Sequence, residues 1–331
     1  MPRKPRSVPS DEPVIEKVYR PLLDVGAQLE IDTDVEQALQ IASDAPQMII
    51  SYPLHWAFVE PERGRYCWDY SDRQGGGTFD ANVRKIQSAG HRLFLHVKTT
   101  PVWARSASGS WCCDPKAEAY AAFADLAYFA AARYQPEALV IWNEPSIPLV
   151  KTEAGLYNGC WGNSYNAGQV YAKLVKVVHN RVKRVYPHVN IVAGEHINRS
   201  AAHPFWTGAQ SMGIDQYCDA VSFHYYIWDN AISYDSVIHE AHFWAARTNR
   251  PLYITETAVM ATEYTPALEA AKCAYLRKLL RELPAAVPQV KGIIWYPLCL
   301  HEWRNTSLIA RSGDRTAYNI LCQYIRTGKV V

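Results

Sequence analysis

The sequence lacks the features that mark several classes of protein. No apolar run approaches the roughly 18 residues that a membrane-spanning helix requires. None of the eight cysteines forms a CxxC pair, which argues against a zinc ribbon. The net charge is also small: the chain has 34 Lys and Arg residues and 32 Asp and Glu residues, which leaves +2. Neither a nucleic-acid footprint nor a membrane-binding surface is therefore indicated, and we predict no such partner.

The N-terminal segment and the cysteines indicate where the protein acts. Residues 1–13 hold four prolines and three basic residues with no apolar stretch behind them, so no secretory signal is predicted. We expect residues 1–20 to form a mobile tail, residues 21–331 to form the catalytic domain, and the protein to be cytoplasmic. Reduced thiols are expected in that compartment. The alternative is a loop disulfide from Cys112 or Cys113 to Cys160, because those segments should lie close together.

Aromatic residues are what the sequence has in abundance. It contains 11 Trp, 21 Tyr and 8 Phe among 331 residues, of which 49% are hydrophobic. This composition supplies a large core. Trp and Tyr also offer flat apolar faces with a polar edge, which suit sugar rings.

Short apolar runs rich in β-branched residues alternate with longer amphipathic stretches along the chain. This alternation is typical of parallel βα units and predicts the α/β class. No Pro- or Gly-rich linker divides the series, and no GxGxxG follows the first strand, as a dinucleotide-binding open sheet would require. We therefore predict a single (β/α)8 TIM barrel, with a doubly wound open sheet as the alternative. The eight strands are expected near 25–29, 48–52, 92–97, 138–142, 190–193, 220–224, 252–255 and 292–296.

Two glutamates stand at predicted strand ends. Glu144 follows the fourth strand in Trp-Asn-Glu-Pro, and Glu256 closes the seventh in Ile-Thr-Glu-Thr. In such barrels the chemistry lies at the carboxyl ends of the strands. Two carboxylates that face each other across a pocket are the equipment for glycoside hydrolysis. One protonates the leaving oxygen, and the other, ionised, attacks the anomeric carbon or activates water.

In these stretches the chain resembles the retaining β-glycoside hydrolases of clan A, the 4/7 superfamily, and in particular families 39 and 5. The resemblance implies that Glu144 is the acid/base, that Glu256 is the nucleophile and that Asn143 contacts the substrate 2-hydroxyl. Further stretches match the clan pattern and add candidates for substrate binding. Trp56 opens its W…EP..G.Y.W…D segment, Trp103 lies in its TPxW, and His224 and Tyr226 form its HxY. Trp295 matches the strand-eight Trp beneath the sugar.

One departure concerns the second strand, where many clan members place an Arg that supports the nucleophile. This strand has Met-Ile-Ile-Ser-Tyr at 48–52. His55 or His96 is the candidate for part of that role. Glu195 and His196, which close the fifth strand, are further candidates for substrate binding. Glu60 beside Pro61 is expected to cap its loop.

The predicted function is therefore retaining hydrolysis of β-glycosidic bonds, with an exo β-xylosidase or β-glycosidase as the first interpretation. An endo-β-glycanase acting on glucan or mannan is the alternative on the same barrel. A carbohydrate-binding barrel without catalysis is the alternative of another class. No cofactor is expected, and no metal, because metal-dependent barrels usually need an HxH on the first strand. The expected partner is a glycoside or oligosaccharide, and the sequence leaves the oligomeric state open.

Overall fold

The structure is a computed structural model that describes most of the chain. The described residues are 22–30, 33–45, 47–71, 77–106, 110–148, 150–151, 157–158, 160–196, 199–228, 234–299, 306–310 and 313–330. The predicted tail at 1–20 and the side chain of Glu195 lie outside this description.

Eight parallel strands close into a barrel in the order of the chain, and the first strand pairs with the last through Asp24 opposite Gly292. The prediction of a single (β/α)8 barrel is confirmed, and the open-sheet alternative is wrong. A two-stranded antiparallel hairpin at Val150–Lys151 and Tyr157–Asn158 was not predicted, since two-residue strands show no hydrophobic period. The barrel strands are β1 (Asp24–Gln28), β2 (Ile49–His55), β3 (Arg92–Lys98), β4 (Ala138–Ile141), β5 (Asn190–His196), β6 (Ala220–Trp228), β7 (Leu252–Met260) and β8 (Val290–Trp295).

Helices cover the outside of the barrel, and several begin at a polar residue whose side chain accepts the backbone N–H three residues on. Asp34, Thr78, Ser164 and Thr265 are caps of this kind. None of the described helices is long and apolar enough to cross a membrane. The helices are α1 (Val35–Ile41), α2 (Trp56–Val59), α3 (Phe79–Ser88), α4 (Tyr120–Tyr134), α5 (Tyr165–Lys183), α6 (Arg199–Ser211), α7 (Ser236–Ala245), α8 (Pro266–Arg281), α9 (Leu283–Ala286) and α10 (Thr316–Thr327).

The barrel interior changes from apolar to polar along the strands. A compact cluster that includes Ile49 and Phe94 packs inside the barrel, separate from the larger core between strands and helices. Side chains two residues apart on a strand share a face, so Ser51 and His96 follow them on the inner face. The carboxyl ends of the strands thus present buried polar groups above an apolar base.

A disulfide joins the loops after β3 and β4. It links Cys112 to Cys160 with a Cα–Cα distance of 4.7 Å, and the other six cysteines are free. The expectation that all thiols are reduced is wrong for this pair. Both loops rise from neighbouring strands at the same end of the barrel, which brings the two cysteines together although 48 residues separate them in sequence.

Candidate active site

The two predicted glutamates meet at the carboxyl end of the barrel. A carboxylate oxygen of Glu144 and one of Glu256 lie within 4.8 Å of each other. The Glu144 side chain is 20% exposed and the Glu256 side chain 9%, so both are largely withdrawn from water but Glu144 is the more accessible.

The backbone that carries Glu144 is strained. Glu144 has a φ of 46° and Trp142, two residues earlier, has a φ of 74°. Left-handed conformations are costly for bulky residues and persist only where the surrounding structure imposes them. Trp142 is fully buried, and its indole N–H donates to the Cys112 carbonyl at 3.3 Å. The chain therefore turns sharply out of β4 and directs Glu144 toward the barrel axis.

A β-bulge positions Glu256. On β6 and β7, Phe223 pairs with Ile254 but His224 pairs with Glu256, so Thr255 is an extra residue on β7. Bulges of this kind redirect side chains near active sites. The extra residue places Glu256 directly opposite His224.

His224 bridges the two carboxylates. Its side chain is fully buried, and its ring nitrogen Nδ1 lies 2.9 Å from Glu144 Oε1 and 3.3 Å from Glu256 Oε2. A proton on Nδ1 can be donated to either carboxylate. Among the described His, Cys, Asp and Glu residues, these three alone bring donors close enough together to hold a metal ion.

Two neutral groups donate to Glu256 in addition. The Tyr226 hydroxyl donates to Oε2, and the side-chain amide of Gln28 donates to Oε1 at 3.3 Å. Tyr226 lies two residues beyond His224 on β6, which places both side chains on the same face. Burial, together with the Glu256 carboxylate, raises the pKa of the Tyr226 phenol well above its ordinary value. The phenol therefore stays protonated and acts as a donor.

Asn143 presents an open acceptor beside Glu144. Its Oδ1 is buried and has no hydrogen-bond partner among the described residues. Buried polar atoms are almost always hydrogen-bonded, so an acceptor of this kind next to Glu144 suits a donor on a ligand. A sugar hydroxyl is such a donor.

Comparison with known proteins shows which barrels this chain is similar to. No protein-family model and no curated protein matches it. Solved structures do match. The GH39 enzyme from Xanthomonas axonopodis pv. citri superposes with a TM-score of 0.60 at 18% identity, over 91% of this chain and 66% of that one. The β-glycosidase BGL167 gives 0.67 at 14% identity, over 95% and 98% of the two chains. A monomeric β-xylosidase from Caulobacter crescentus CB15 gives 0.60 at 17% identity, over 92% and 68%.

The fold is one that glycoside hydrolases use. At sequence identities of 14% to 18%, the similarity shows a shared barrel fold and no more. This chain also spans just under two thirds of the GH39 enzyme.

Some of the predicted site residues lie apart from the carboxylates. Trp56 is fully buried and donates its indole N–H to Glu60 at 2.6 Å, and Trp103 donates to the Glu60 backbone carbonyl at 3.0 Å. Glu60 also accepts the Gly64 amide at 2.7 Å, so it caps its loop as expected. The two indoles thus belong to the packing beneath the loop after β2.

His196 lies in the helix layer. Its ring stacks on Trp244 with centroids 4.3 Å apart and meets Trp206 edge-on at 5.1 Å. The strand turns at Gly194, where φ is 118° and the β5–β6 register shifts. The structure therefore places His196 between the barrel and α6 and α7, whereas His96 keeps an inward position on β3.

Tryptophans at or after the carboxyl ends of the strands differ in exposure. Trp295 is 1% exposed and donates its indole N–H to the Thr306 carbonyl at 2.9 Å. Trp111 and Trp228, in the loop after β3 and at the end of β6, are each 43% exposed. Trp111 stacks on His55 with centroids 5.4 Å apart. Among the tryptophans that the structure describes, these two are the most exposed.

Sequence reasoning missed Gln28 and Tyr296. Gln28 is the last residue of β1 and is 1% exposed, and a buried amide at a strand end was the available signal. The Tyr296 ring meets that of Tyr226 edge-on at 6.2 Å and is half-buried. It follows Trp295 directly, and nothing in its sequence context distinguished it from a packing residue.

Proposed function

We propose that this protein is a retaining β-glycoside hydrolase in which Glu256 is the nucleophile and Glu144 the acid/base. The observation that carries the proposal is the separation of the two carboxylates, whose oxygens approach within 4.8 Å. Retaining enzymes hold these groups about 5 to 5.5 Å apart, whereas inverting enzymes hold them roughly 6.5 to 9.5 Å apart to admit water. The separation in this protein leaves no room for a water between the carboxylates and the sugar, so it suits direct attack by Glu256 on the anomeric carbon.

In the first step, Glu256 attacks the anomeric carbon while protonated Glu144 gives its proton to the departing oxygen. The products are an aglycone alcohol and a glycosyl ester of Glu256. In the second step, ionised Glu144 removes a proton from water, which attacks the anomeric carbon and releases Glu256 as a carboxylate. The negative charge passes from Glu256 to Glu144 in the first step and returns in the second. His224 Nδ1 lies within hydrogen-bonding distance of both carboxylates and can therefore donate to whichever of them is ionised.

The contacts around Glu256 support its role as the attacking group. Tyr226 and Gln28 both donate hydrogen bonds to it, and such donors favour the ionised form that attack requires. Asn143 Oδ1 can accept the substrate 2-hydroxyl, a contact that strengthens as positive charge develops on the ring. Trp111 and Trp228 can stack on sugar rings at the rim.

An exo β-glycosidase of the β-xylosidase kind is the first candidate activity. Support comes from the barrel shared with the Caulobacter crescentus β-xylosidase. An endo-β-glycanase is the second candidate, favoured by the exposure of Trp111 and Trp228, because open platforms at a rim suit a longer chain. The Cys112–Cys160 disulfide favours an oxidising compartment rather than the expected cytoplasm.

A pair of variants with opposite stereochemical outcomes tests the proposal. Wild type, Glu256→Ala and Glu144→Ala are assayed on aryl β-glycosides of xylose, glucose and mannose with added azide. Azide replaces the missing nucleophile in Glu256→Ala and yields an α-glycosyl azide. In Glu144→Ala it attacks the glycosyl-enzyme and yields a β-glycosyl azide.

The same product from both variants, or inverted hydrolysis by wild type, contradicts the assignment. If wild type acts on none of the aryl glycosides, digestion of xylan, β-glucan and mannan distinguishes an endo-enzyme from a binding barrel. Inactivity on these polymers as well overturns the proposed hydrolase function.

A further inference from the structure

Gln28 makes a set of contacts that join three strands of the barrel. Its amide nitrogen lies 3.3 Å from Glu256 Oε1 and 2.9 Å from Glu30 Oε1. Its amide oxygen accepts the Ser51 hydroxyl at 3.4 Å. The side chain thus connects β1 and β2 to the glutamate on β7, and it does so with 1% exposure.

These partners determine which way the amide points. A glutamine side chain offers two N–H donors on nitrogen and acceptor sites only on oxygen. Both N–H groups are used here by carboxylates. The reverse orientation would turn the amide oxygen toward two anionic oxygens and the NH2 group toward Ser51. Electrostatic repulsion excludes that arrangement, so Gln28 is held as a donor to Glu256.

We propose that Gln28 is a positioning residue for the nucleophile. It holds one oxygen of Glu256 while Tyr226 holds the other, so the plane of the carboxylate is set before the sugar arrives. The inference rests on the proposed retaining function.

A neutral amide is suited to both states of the reaction. It donates to the carboxylate before attack, and it can still donate to an oxygen of the ester that forms afterwards. It cannot transfer a proton, so no proton moves at Gln28 in either step. Its second N–H anchors it to Glu30, which prevents it from turning away when Glu256 loses its charge.

The test compares Gln28→Leu, which removes the donor, with Gln28→Glu, which keeps the shape but adds a third carboxylate. Ser51→Ala is the matched control, because it removes only the contact to the amide oxygen. The probe is 4-nitrophenyl β-D-xyloside, or the aryl glycoside of the panel that wild type hydrolyses. The readouts are kcat, KM, the pH profile of kcat/KM and the urea midpoint of unfolding.

For Gln28→Leu we expect kcat/KM to fall about 10- to 100-fold, chiefly through kcat, because a hydrogen bond to a charged group is lost. The acid limb of the profile, which follows ionisation of the attacking carboxylate, should move up by about one pH unit. Gln28→Glu should move it further, since nearby like charges disfavour ionisation. Ser51→Ala should lose less than about threefold.

A Gln28→Leu variant with wild-type kcat/KM, or with an unmoved acid limb, overturns the inference. If Gln28→Leu does not fold, the Gln28→Glu profile decides in the same way. These outcomes differ from failure of the proposed function. In that case wild type is inactive on all glycosides and polymers, and the inference falls with it. If wild type is active and azide rescues Glu256→Ala, only the role of Gln28 is at stake.

Discussion

Loss of the Cys112–Cys160 disulfide should weaken both the fold and the site. The perturbation is reduction with dithiothreitol, or the double variant Cys112→Ala/Cys160→Ala. The other six cysteines are free, so a reductant acts on this bridge alone. The cross-link closes a loop of 48 residues, for which the chain-entropy relation gives about 4 kcal/mol of stabilisation through the unfolded state.

The disulfide also flanks the segment that carries Glu144. The Cys112 carbonyl accepts the Trp142 indole at 3.3 Å, and the Trp161 amide, next to Cys160, donates to the Pro145 carbonyl at 3.0 Å. The segment 142–145 is therefore held from both sides by chain that the bridge joins. Reduction should lower kcat/KM for an aryl glycoside, because misplacement of Glu144, the proposed acid/base, by about 1 Å would be costly.

Urea unfolding with and without reductant measures the stabilisation that the disulfide provides. Alkylation followed by mass spectrometry reports which cysteines are bonded and therefore do not react. Cys67→Ala, at a half-buried free cysteine, is the control and should behave as wild type in both conditions. Alkylation of Cys112 and Cys160 in the native, unreduced protein would refute the reasoning. So would a urea midpoint that reduction leaves unchanged.

Three other predictions concern single residues. Asn143→Ala should lower kcat/KM by an amount equivalent to about 2 kcal/mol, because the proposed acceptor for the substrate 2-hydroxyl is lost, and should abolish discrimination against the 2-deoxy glycoside. Although burial opposes it, hydrogen bonds led by that from Arg133 lower the pKa of Asp80 to about 2 from 3.8. The stabilisation by ionised Asp80 is therefore complete above about pH 4 and is lost as pH falls toward 2, and Asp80→Asn should remove this part of the pH dependence of the unfolding free energy. Gly168→Ala should destabilise the fold by about 3 kcal/mol or more, because the added Cβ would lie 1.8 Å from the Phe205 carbonyl oxygen, between α5 and α6.

Each of these predictions has its own check. For Asn143→Ala, unchanged selectivity between the 2-hydroxy and 2-deoxy glycosides contradicts the assigned contact. For Asp80→Asn, urea titrations at pH 2, 3, 4 and 6 should show an unfolding free energy that falls less steeply with acid than that of wild type. The same pH dependence in both proteins would contradict the role of ionised Asp80. For Gly168→Ala, the neighbouring Ala167→Ser is the control, and equal urea midpoints for the two variants would contradict the close helix contact.

The sequence alone was sufficient for the architecture. Alternating apolar runs and amphipathic stretches predicted eight βα units, because parallel strands buried on both faces and helices buried on one leave these patterns locally. The same alternation predicted Glu144 and Glu256 at strand ends, which holds for Glu144 after β4, whereas β7 continues past Glu256 to Met260. Since all carboxyl ends of the strands meet at one face of a barrel, the approach of the two glutamates followed without any knowledge of packing.

Only the tertiary structure decided which neighbours face the carboxylates. His196 closes β5, yet the turn at Gly194 sends its side chain to the helices. Glu256 lies midway along β7, which runs on to Met260, and the extra residue Thr255 brings it opposite His224. A period of two predicts alternation along a regular strand, but a bulge reverses it, and bulges have no reliable local signal.

The same limit applies to contacts between distant strands. Gln28 and Glu256 are 228 residues apart, and Cys112 and Cys160 are 48 apart, so neither pairing is contained in any one stretch of sequence. Local sequence determined which strand, or which loop after a strand, carries each residue. Closure of the barrel decided which of them touch, because it brings the first strand beside the last and orders the loops around one rim.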